Sequence, residues 1–171
     1  KPGVVIVTSG PGATNVITGV ADAMTDSTPV VVISGQVASA ALGTDAFQEA
    51  DIIGLTGPIT KWNYQIRRAE DVAWAVSRAF YIASTGRPGP VVLDFTKDAQ
   101  VGLTDFEFRK CSFIRSYVPE LPVPMEEVAR AAELIDKAER PMVVYGQGVI
   151  LGGAEKALAE FIEKGDIPAA S

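Results

Sequence analysis

Short apolar runs recur along the first hundred residues of the chain. Residues 4–7, 29–34 and 91–95 are rich in valine, isoleucine and leucine. They are apolar on both faces, which is the pattern of strands buried within a parallel sheet. A weaker alternation over residues 61–66 predicts a further strand. The chain therefore predicts four strands in its first hundred residues, three of them buried on both sides.

Helical patterns fill the intervals between these strands. Residues 14–26 place apolar side chains on one face, and residues 69–85 carry them around most of the helix circumference. Residues 51–55 predict a short helix. Strands that alternate with helices in this way indicate an α/β fold of βαβ units with a parallel sheet and helices on both faces.

The alternation stops at residue 98 and restarts at residue 125. Residues 101–124 hold scattered aromatic residues among charges and end in three prolines, which predicts a linker whose aromatic side chains pack on a surface. Residues 125–171 then predict the start of a second, Rossmann-like domain with two helices and two strands. Because the chain starts and stops within core-type strands, we expect it to be a piece of a larger protein, with residues 1–100 belonging to its first domain.

Composition excludes several classes of chemistry. The 171 residues include one cysteine and no histidine, so disulfides, histidine-ligated zinc and catalytic triads based on histidine are ruled out within this chain. The single thiol, Cys111, is interpreted as a chance cysteine. A net charge of −6 argues against a nucleic-acid partner. No apolar run approaches the length of a membrane span and no signal peptide is recognisable, so we expect no membrane association and a cytoplasmic location.

Residues 43–49, Gly-Thr-Asp-Ala-Phe-Gln-Glu, are the most informative stretch. They follow a buried strand, and loops at the carboxyl ends of parallel strands are where α/β proteins place ligand sites. An alternative is a loop that merely starts a helix, with Asp45 as its N-cap and Phe47 as an anchor in the core. Spacing alone leaves both interpretations open.

Two glycine turns also follow strands. Residues 9–15, Ser-Gly-Pro-Gly-Ala-Thr-Asn, let the backbone approach a ligand at the start of a helix, although they match neither a P-loop nor a dinucleotide fingerprint. Residues 146–148, Gly-Gln-Gly, are similar in position and weaker as a signal. Ordinary tight turns are the alternative in both cases.

Several charged residues stand next to predicted strands. Arg87, in a rigid Gly-Arg-Pro-Gly-Pro turn, is suited either to a phosphate or adenosine group or to capping a helix end. Lys97 leaves the carboxyl end of a strand and is either a ligand contact or a solvated side chain. The spacing of Asp22, Asp26 and Asp45 fits no calcium loop, and these are interpreted as solvated or capping carboxylates.

Taken together, four motifs resemble the large subunits of acetohydroxyacid (acetolactate) synthases, which are thiamine diphosphate-dependent enzymes. The motifs are, in the family's order, residues 7–15, 43–49, 59–64 and 86–90. The resemblance covers residues 1–100, and residues 140–148 resemble the opening of the family's central domain. It implies a partial pyrimidine-binding domain followed by the start of an FAD-type central domain.

The resemblance also implies cofactors, site residues and partners. Thiamine diphosphate, Mg²⁺ and FAD serve the complete enzyme, which decarboxylates pyruvate and transfers the hydroxyethyl unit to a second 2-oxo acid in branched-chain amino-acid biosynthesis. The enzyme is a homodimer or homotetramer, with or without a regulatory subunit. The matching positions are Gln48, Pro11, Gly12 and Asn15 for thiamine, Ser27 and Arg87 for FAD, and Phe47, Lys61 and Lys97 for the substrate channel.

Some family features are absent from these residues. The catalytic glutamate and the magnesium-binding Gly-Asp-Gly…Asn segment lie outside them, so the resemblance implies no catalytic residue here and an inactive fragment. Ala38-Ser39-Ala40 stands where biosynthetic members carry Pro-Arg-Arg. Glyoxylate carboligase, sulfoacetaldehyde acetyltransferase and pyruvate oxidase types are therefore alternatives within the superfamily. A non-catalytic FAD or nucleotide module and a structural interface domain are alternatives outside it.

Overall fold

A computed structural model describes residues 1–171, which divide into two compact units. The first unit is Lys1–Leu121 and the second is Pro122–Ser171. Residues 102–121, which the sequence assigns to a linker, group with the first unit.

The first unit alternates strands and helices as the sequence pattern predicts. Its elements are β1 (Gly3–Val7), α1 (Pro11–Asn15), α2 (Ile17–Thr25), β2 (Val30–Gln36), α3 (Ile52–Thr56), β3 (Trp62–Ile66), α4 (Val72–Ser84), β4 (Val91–Thr96) and α5 (Lys97–Val101). Short 3₁₀ turns occupy Ser39–Ala41, Gly57–Ile59 and Ala69–Asp71.

The four strands form one parallel sheet in the order β1-β2-β4-β3. Val31 of β2 lies opposite Val91 of β4, and Trp62 of β3 lies opposite the same Val91. The predicted α/β fold with a parallel sheet is therefore confirmed. All strands end on one side of the sheet, here called the carboxyl edge, and begin on the other, the amino edge.

Helices cover both faces of the central strands. Helix α4 places small side chains, such as Ala75 and Ala79, against one face, where they pack with Val91 and Leu93. Val20 of α2 and Ile52 of α3 pack on the opposite face. Every residue of β4 is buried, as predicted for a strand covered on both sides.

Strand β1 differs from its predicted burial. It lies at the edge of the sheet, and Val4 and Val5 are exposed, as is Ile6 at 74%, whereas Val7 is half-buried. The prediction of a strand is confirmed, but the prediction of burial is wrong for this chain. The apolar residues of β1 pair with β2 on one side only, and no element of the chain covers the other.

The first predicted helix is divided in the structure. It begins at Pro11 rather than Thr14, because proline is favoured at the first helical position. It breaks at Val16, whose N–H donates to the carbonyl of Ala13, and continues as α2 from Ile17.

The segment after α5 packs through fewer aromatic residues than predicted. Phe106, Phe108 and Phe113 are all exposed, so the prediction that they cover a surface is wrong for them. Ile114 is buried and Tyr117 packs beside it against the α4 face of the sheet. Ile114 and Tyr117 thus make the contact that the pattern assigned to Tyr117 and the three phenylalanines.

The second unit contains one βαβ arrangement preceded by a helix. Its elements are α6 (Met125–Lys137), β5 (Val143–Val144), α7 (Gly148–Leu151), α8 (Glu155–Gly165) and β6 (Ala169–Ala170). The two short strands are parallel, with Val143 opposite Ala169. The apolar face of α6 is exposed, including Leu134. None of the helices in either unit has the length and apolarity needed to cross a membrane.

Candidate functional site

The residues singled out from the sequence divide between the two edges of the sheet. At the carboxyl edge, Pro11, Gly12 and Asn15 follow β1, Phe47 and Gln48 follow β2, and Lys97 follows β4. At the amino edge, Ser27 precedes β2, Lys61 precedes β3 and Arg87 precedes β4. Ligand sites of open parallel sheets lie at the carboxyl edge, so only the first group belongs to one candidate site.

The two loops of the candidate site meet through Gly10 and Gln48. Gly10 has a φ of +57°, and a Cβ atom placed on it would lie 2.8 Å from the carbonyl oxygen of Gln48 and 2.9 Å from its Cα. Only glycine fits such an approach and such a backbone conformation. The turn after β1 therefore fixes where the backbone of Gln48 lies.

The 43–49 loop is closed on itself by Glu49. The carboxylate of Glu49 accepts hydrogen bonds from the backbone N–H of Gly43 and from that of Ala46, the latter at 3.1 Å. The bond from Gly43 is the main cause that holds the pKa of Glu49 below its usual value. The ionised carboxylate of Glu49 therefore holds the loop closed. These two hydrogen bonds are here called the Glu49 clasp.

Left-handed backbone is concentrated in this loop. Gly43, Asp45 and Gln48 have φ values of +77°, +56° and +61°. Left-handed conformations are costly for residues with a side chain, and they cluster at ligand sites when the surrounding structure holds them. Here the Glu49 clasp and the Gly10 contact supply that support.

The alternative role for this loop is wrong on both counts. The side chain of Phe47 is 88% exposed, so it is no core anchor. The helix after the loop is capped by Asp51, whose carboxylate accepts from the N–H of Gly54, and not by Asp45. The loop presents an aromatic ring and the Gln48 amide to the outside of this chain.

A crevice of about 390 Å³ opens at the carboxyl edge beside this contact. Its walls come from the ends of β1, β2 and β4 and from the start of α5, and they include Ser9, Gly35, Gln36, Lys97 and Gln100. Lys97 is exposed at its rim, which leaves both interpretations of this lysine open.

The loop after β2 is also tied to α5. The carboxylate of Asp98 accepts from the N–H of Ser39 at 2.8 Å. This bond is the main cause that lowers the pKa of Asp98 to about 2. Ser39 belongs to the Ala-Ser-Ala sequence that departs from the family pattern, and the structure shows that its backbone is held rather than free.

At the amino edge, Arg87 is engaged with the end of α2. Its Nε donates to the Oγ of Ser27 at 2.8 Å, and its Nη2 donates to the carbonyl of Thr25 at 2.9 Å. Ser27 is buried with a φ of +57°. Ser27 and Arg87, both predicted to contact FAD, thus lie together. The alternative role of Arg87 as a helix cap holds for α2 rather than for the helix that precedes it.

Lys61 is engaged with the end of α4. Its Nζ donates to the carbonyls of Ile82 and Thr85, the latter at 2.6 Å, and to the Oη of Tyr117 at 3.0 Å. All three N–H donors of the ammonium group therefore have acceptors within the first unit. The structure places Lys61 at the amino edge, away from Phe47 and Gln48.

Sequence reasoning missed the contacts of two acidic residues, Glu49 in the loop and Asp94 in the sheet. Glu49 was visible only as part of the 43–49 motif, and its clasp depends on loop geometry. Asp94 stands alone as a charged residue within the apolar run of β4, and it is fully buried. A single carboxylate in such a run is a sequence signal for a buried polar network.

Comparison with known proteins identifies two domains along the chain. Residues 1–55 match the family described as thiamine pyrophosphate enzyme, N-terminal TPP binding domain. Residues 128–171 match thiamine pyrophosphate enzyme, central domain. The chain belongs to the thiamine pyrophosphate enzyme family.

Within this family, the chain is similar to acetolactate synthases. An acetolactate synthase large subunit from Buchnera aphidicola subsp. Schizaphis graminum is 46% identical over 170 residues, which is 98% of this chain and 30% of the relative. One from Corynebacterium glutamicum is 45% identical over 168 residues, covering 98% of this chain and 27% of the relative. An acetolactate synthase from Mycobacterium leprae is 45% identical over 171 residues, or 100% of this chain and 27% of that protein. This thiamine pyrophosphate enzyme chain thus spans about 30% of such relatives.

Proposed function

We propose that this chain is part of an enzyme of the acetolactate synthase type. The complete enzyme decarboxylates pyruvate and transfers the two-carbon unit to a second 2-oxo acid, a step of branched-chain amino-acid biosynthesis. Residues 1–100 would form part of the pyrimidine-binding domain, residues 101–124 the linker, and residues 125–171 the start of the central domain. Similarity to acetolactate synthase large subunits along the whole chain supports this proposal.

The observation that carries the proposal is the contact between Gly10 and Gln48. Two loops from different strands are locked together at the carboxyl edge in left-handed conformations, which cost free energy and cluster at ligand sites. The absence of a side chain at Gly10 lets the two loops approach this closely. We assign the thiamine contact to Gln48, Pro11, Gly12 and Asn15, and the substrate channel to Phe47 and Lys97.

Thiamine diphosphate, when bound, supplies the stabilisation of the negative charge that decarboxylation leaves. The residues of this chain orient it and the substrate. The exposed amide of Gln48 is available to donate and accept hydrogen bonds. Glu49 and Asp98 are committed to backbone N–H groups and have lowered pKa values, so they are poor proton shuttles at neutral pH. Because the family's catalytic glutamate is not among these residues, the chain alone is expected to be inactive.

FAD and Mg²⁺ are the less direct parts of the proposal. Ser27 and Arg87 are adjacent, as an FAD contact that involves both requires. The Nε and Nη2 groups of Arg87 already donate hydrogen bonds to Ser27 and Thr25 at the end of α2. The chain has no group of three or more acidic, histidine or cysteine side chains that could hold a metal ion. Mg²⁺ would accordingly be held by parts of the enzyme beyond these residues. Lys61 in the substrate channel stays a prediction from the resemblance.

The exposure of the 43–49 loop is relevant to the oligomeric state of the complete enzyme. Phe47 and Gln48 face outward from this chain, so a second chain or another domain is needed to complete a closed pocket. This supports a homodimer or homotetramer. A regulatory subunit and a cytoplasmic location belong to the proposal only through the resemblance to acetolactate synthase large subunits.

The test is activity of the complete enzyme with pyruvate as the sole substrate. We expect acetolactate formation that depends on added thiamine diphosphate, and a flavin absorbance spectrum in the purified protein. Gln48→Leu should raise the KM for thiamine diphosphate at least about tenfold, as loss of a polar contact to the cofactor predicts. A folded complete enzyme that makes no acetolactate would contradict the proposal.

The matched control is Gln147→Leu. Gln147 lies in the second unit, next to a glycine turn that has no neighbouring atoms at Gly146 or Gly148. The same amide is lost there from a residue that is not among those assigned to thiamine. An equal rise of KM in both variants would show that the Gln48 effect is not specific.

A further inference from the structure

A row of polar side chains crosses the middle of the otherwise apolar sheet. Ser34 of β2, Asp94 of β4 and Gln65 of β3 lie directly opposite one another in the strand register. Gln36 stands two residues beyond Ser34 and so faces the same side of the sheet. At its Gln36 end, this row reaches Ala50, the residue that follows the 43–49 loop.

Asp94 is the centre of this row. It is 0% exposed, and its Oδ2 accepts from Nε2 of Gln65 at 2.9 Å and from Nε2 of Gln36 at 3.2 Å. Its Oδ1 is buried and has no hydrogen-bond partner. A buried carboxyl that is only half satisfied is costly, so a stabilising or functional gain elsewhere must offset it.

Gln36 connects Asp94 to the loop. The same Nε2 that donates to Asp94 also donates to the carbonyl of Ala50 at 2.8 Å. Its Oε1 accepts from the N–H of Val37 at 2.9 Å. Because Oε1 accepts one hydrogen bond and Nε2 donates two, the amide of Gln36 has a single orientation. Its bond to the carbonyl of Ala50 holds the backbone directly after Glu49.

We propose that Asp94 is a positioning residue for the 43–49 loop, acting through Gln36 and the carbonyl of Ala50. Asp94 fixes the Gln36 amide, Gln36 fixes the end of the loop, and the Glu49 clasp passes this restraint to Gln48. Gln65 donates to Asp94 from the other side and makes no side-chain hydrogen bond with the loop. The consequence for the cofactor rests on the function proposed above, whereas the restraint on the loop does not.

The hydrogen-bond acceptor and the pKa of Asp94 bear on which substitution preserves the network. Burial raises the pKa of Asp94, an effect that the amides of Gln65 and Gln36 oppose and the carboxylate of Asp51 reinforces. The two amides need only an acceptor oxygen at the position of Oδ2, which asparagine also supplies. Asp94→Asn should therefore keep the restraint, and Asp94→Leu, of similar shape, should lose it.

Hydrogen exchange of the complete enzyme tests the restraint directly. In Asp94→Leu, the amides of Ala46, Glu49 and Ile52 should exchange about tenfold faster relative to those of α4, since one polar restraint is lost. Asp94→Asn should stay within about threefold of the original protein. Equal exchange in the loop of the original and Asp94→Leu proteins, or equal acceleration by Asn and Leu, would overturn the inference.

A second variant covers the case in which Asp94→Leu does not fold. Gln36→Met removes the bond to Ala50 while Asp94 keeps Gln65, and it should accelerate the same loop amides. Ser77→Ala is the control, because Ser77 Oγ bonds to Arg109 and Cys111 on the other side of the sheet. Ser77→Ala should leave the exchange rates of the loop amides themselves unchanged, and a matching acceleration of the loop would contradict the inference.

The complete enzyme separates this inference from the proposed function. Asp94→Leu should raise the KM for thiamine diphosphate about tenfold with a smaller change in kcat, and Asp94→Asn should restore it. A loosened loop with an unchanged KM supports the positioning role and contradicts the cofactor role of Gln48. An unchanged loop contradicts the positioning role whatever the enzyme does.

Discussion

Gly10 lies against the backbone of Gln48, so closely that a methyl group on Gly10 would come within 2.8 Å of the Gln48 carbonyl oxygen. The two residues belong to loops that follow different strands, and each has a left-handed backbone. This contact makes the geometry of the 43–49 loop depend on a residue outside it.

Gly10→Ala is expected to displace the 43–49 loop. The substitution forces a left-handed alanine and a clash with backbone, and backbone cannot move aside as a flexible side chain can. We expect a loss of about 2–4 kcal/mol in the free energy of unfolding, measured by urea unfolding, and loss of thiamine diphosphate binding in the complete enzyme.

Gly43→Ala separates backbone strain from the clash. Gly43 is also left-handed, at φ +77°, but a Cβ there would meet no atom within 4 Å. The expected loss is only about 1–2 kcal/mol, from strain alone. If the two variants were equally stable, the close contact at Gly10 would be irrelevant.

Lys61→Met is expected to reduce stability. The methionine keeps the apolar length of the side chain but removes the donors to Ile82, Thr85 and Tyr117, which leaves carbonyls at the end of α4 without a partner. We expect a loss of about 1–3 kcal/mol, followed by tryptophan fluorescence of Trp62 and Trp74 during urea unfolding.

Lys97→Met provides the comparison for Lys61. Lys97 is exposed, and its side chain makes no hydrogen bond in the structure. The expected change in the free energy of unfolding is within about 0.5 kcal/mol. A Lys61→Met protein as stable as Lys97→Met would refute the structural role of Lys61 and favour the channel role that the family resemblance implies.

Phe47→Ala should leave the fold intact. An 88% exposed ring contributes little burial, so the change in unfolding free energy should stay within about 0.5 kcal/mol. In the complete enzyme the same variant should alter the KM for the 2-oxo acid. Ile52→Ala, at a buried position nearby, should cost about 2–5 kcal/mol and confirms that the assay detects core damage.

The bond between Asp98 and Ser39 should make stability depend on acid pH. The pKa of Asp98 falls from 3.8 to about 2 on folding, so the folded state is stabilised above pH 3.8 and loses this contribution as the pH falls towards 2. Asp98→Asn should therefore be less stable than the original protein at pH 6 and should approach it near pH 2, in urea unfolding at each pH.

Asp22→Asn is the control for Asp98. It removes the same charge from an exposed position of α2, where the side chain makes no hydrogen bond in the structure. The difference between this variant and the original protein should not vary with pH in the manner of Asp98→Asn. Parallel curves for the two variants would rule out a specific Asp98 effect.

The strands were predictable because their chemistry is local. Runs such as residues 91–95 are apolar on both faces, and only a covered parallel strand accommodates that pattern. The burial of β1 was not predictable, since its exposure depends on the neighbours that a strand has in space. Phe106 and Ile114 show the same limit, because the pattern cannot tell which apolar residue of an irregular segment reaches the core.

The site was predictable in its location and not in its internal contacts. The 43–49 motif and the 9–15 turn both follow strands, so parallel topology alone places them at one edge. The same rule, applied to Lys61 and Arg87, would have placed them at the opposite edge. The Glu49 clasp and the Asp94 row depend on backbone geometry and on strand register, which no spacing in the sequence encodes.

At the left-handed residues Asp45 and Gln48, a substitution that raises stability is expected to impair function. Replacing either by glycine relaxes the backbone and favours the folded chain, provided that the added freedom of the unfolded chain is smaller than the strain removed. The same replacement deletes a side chain from the ligand-facing loop. A screen that selects only for heat resistance would thus accumulate changes here and erode the site, whereas sequences selected for turnover would keep the strained residues.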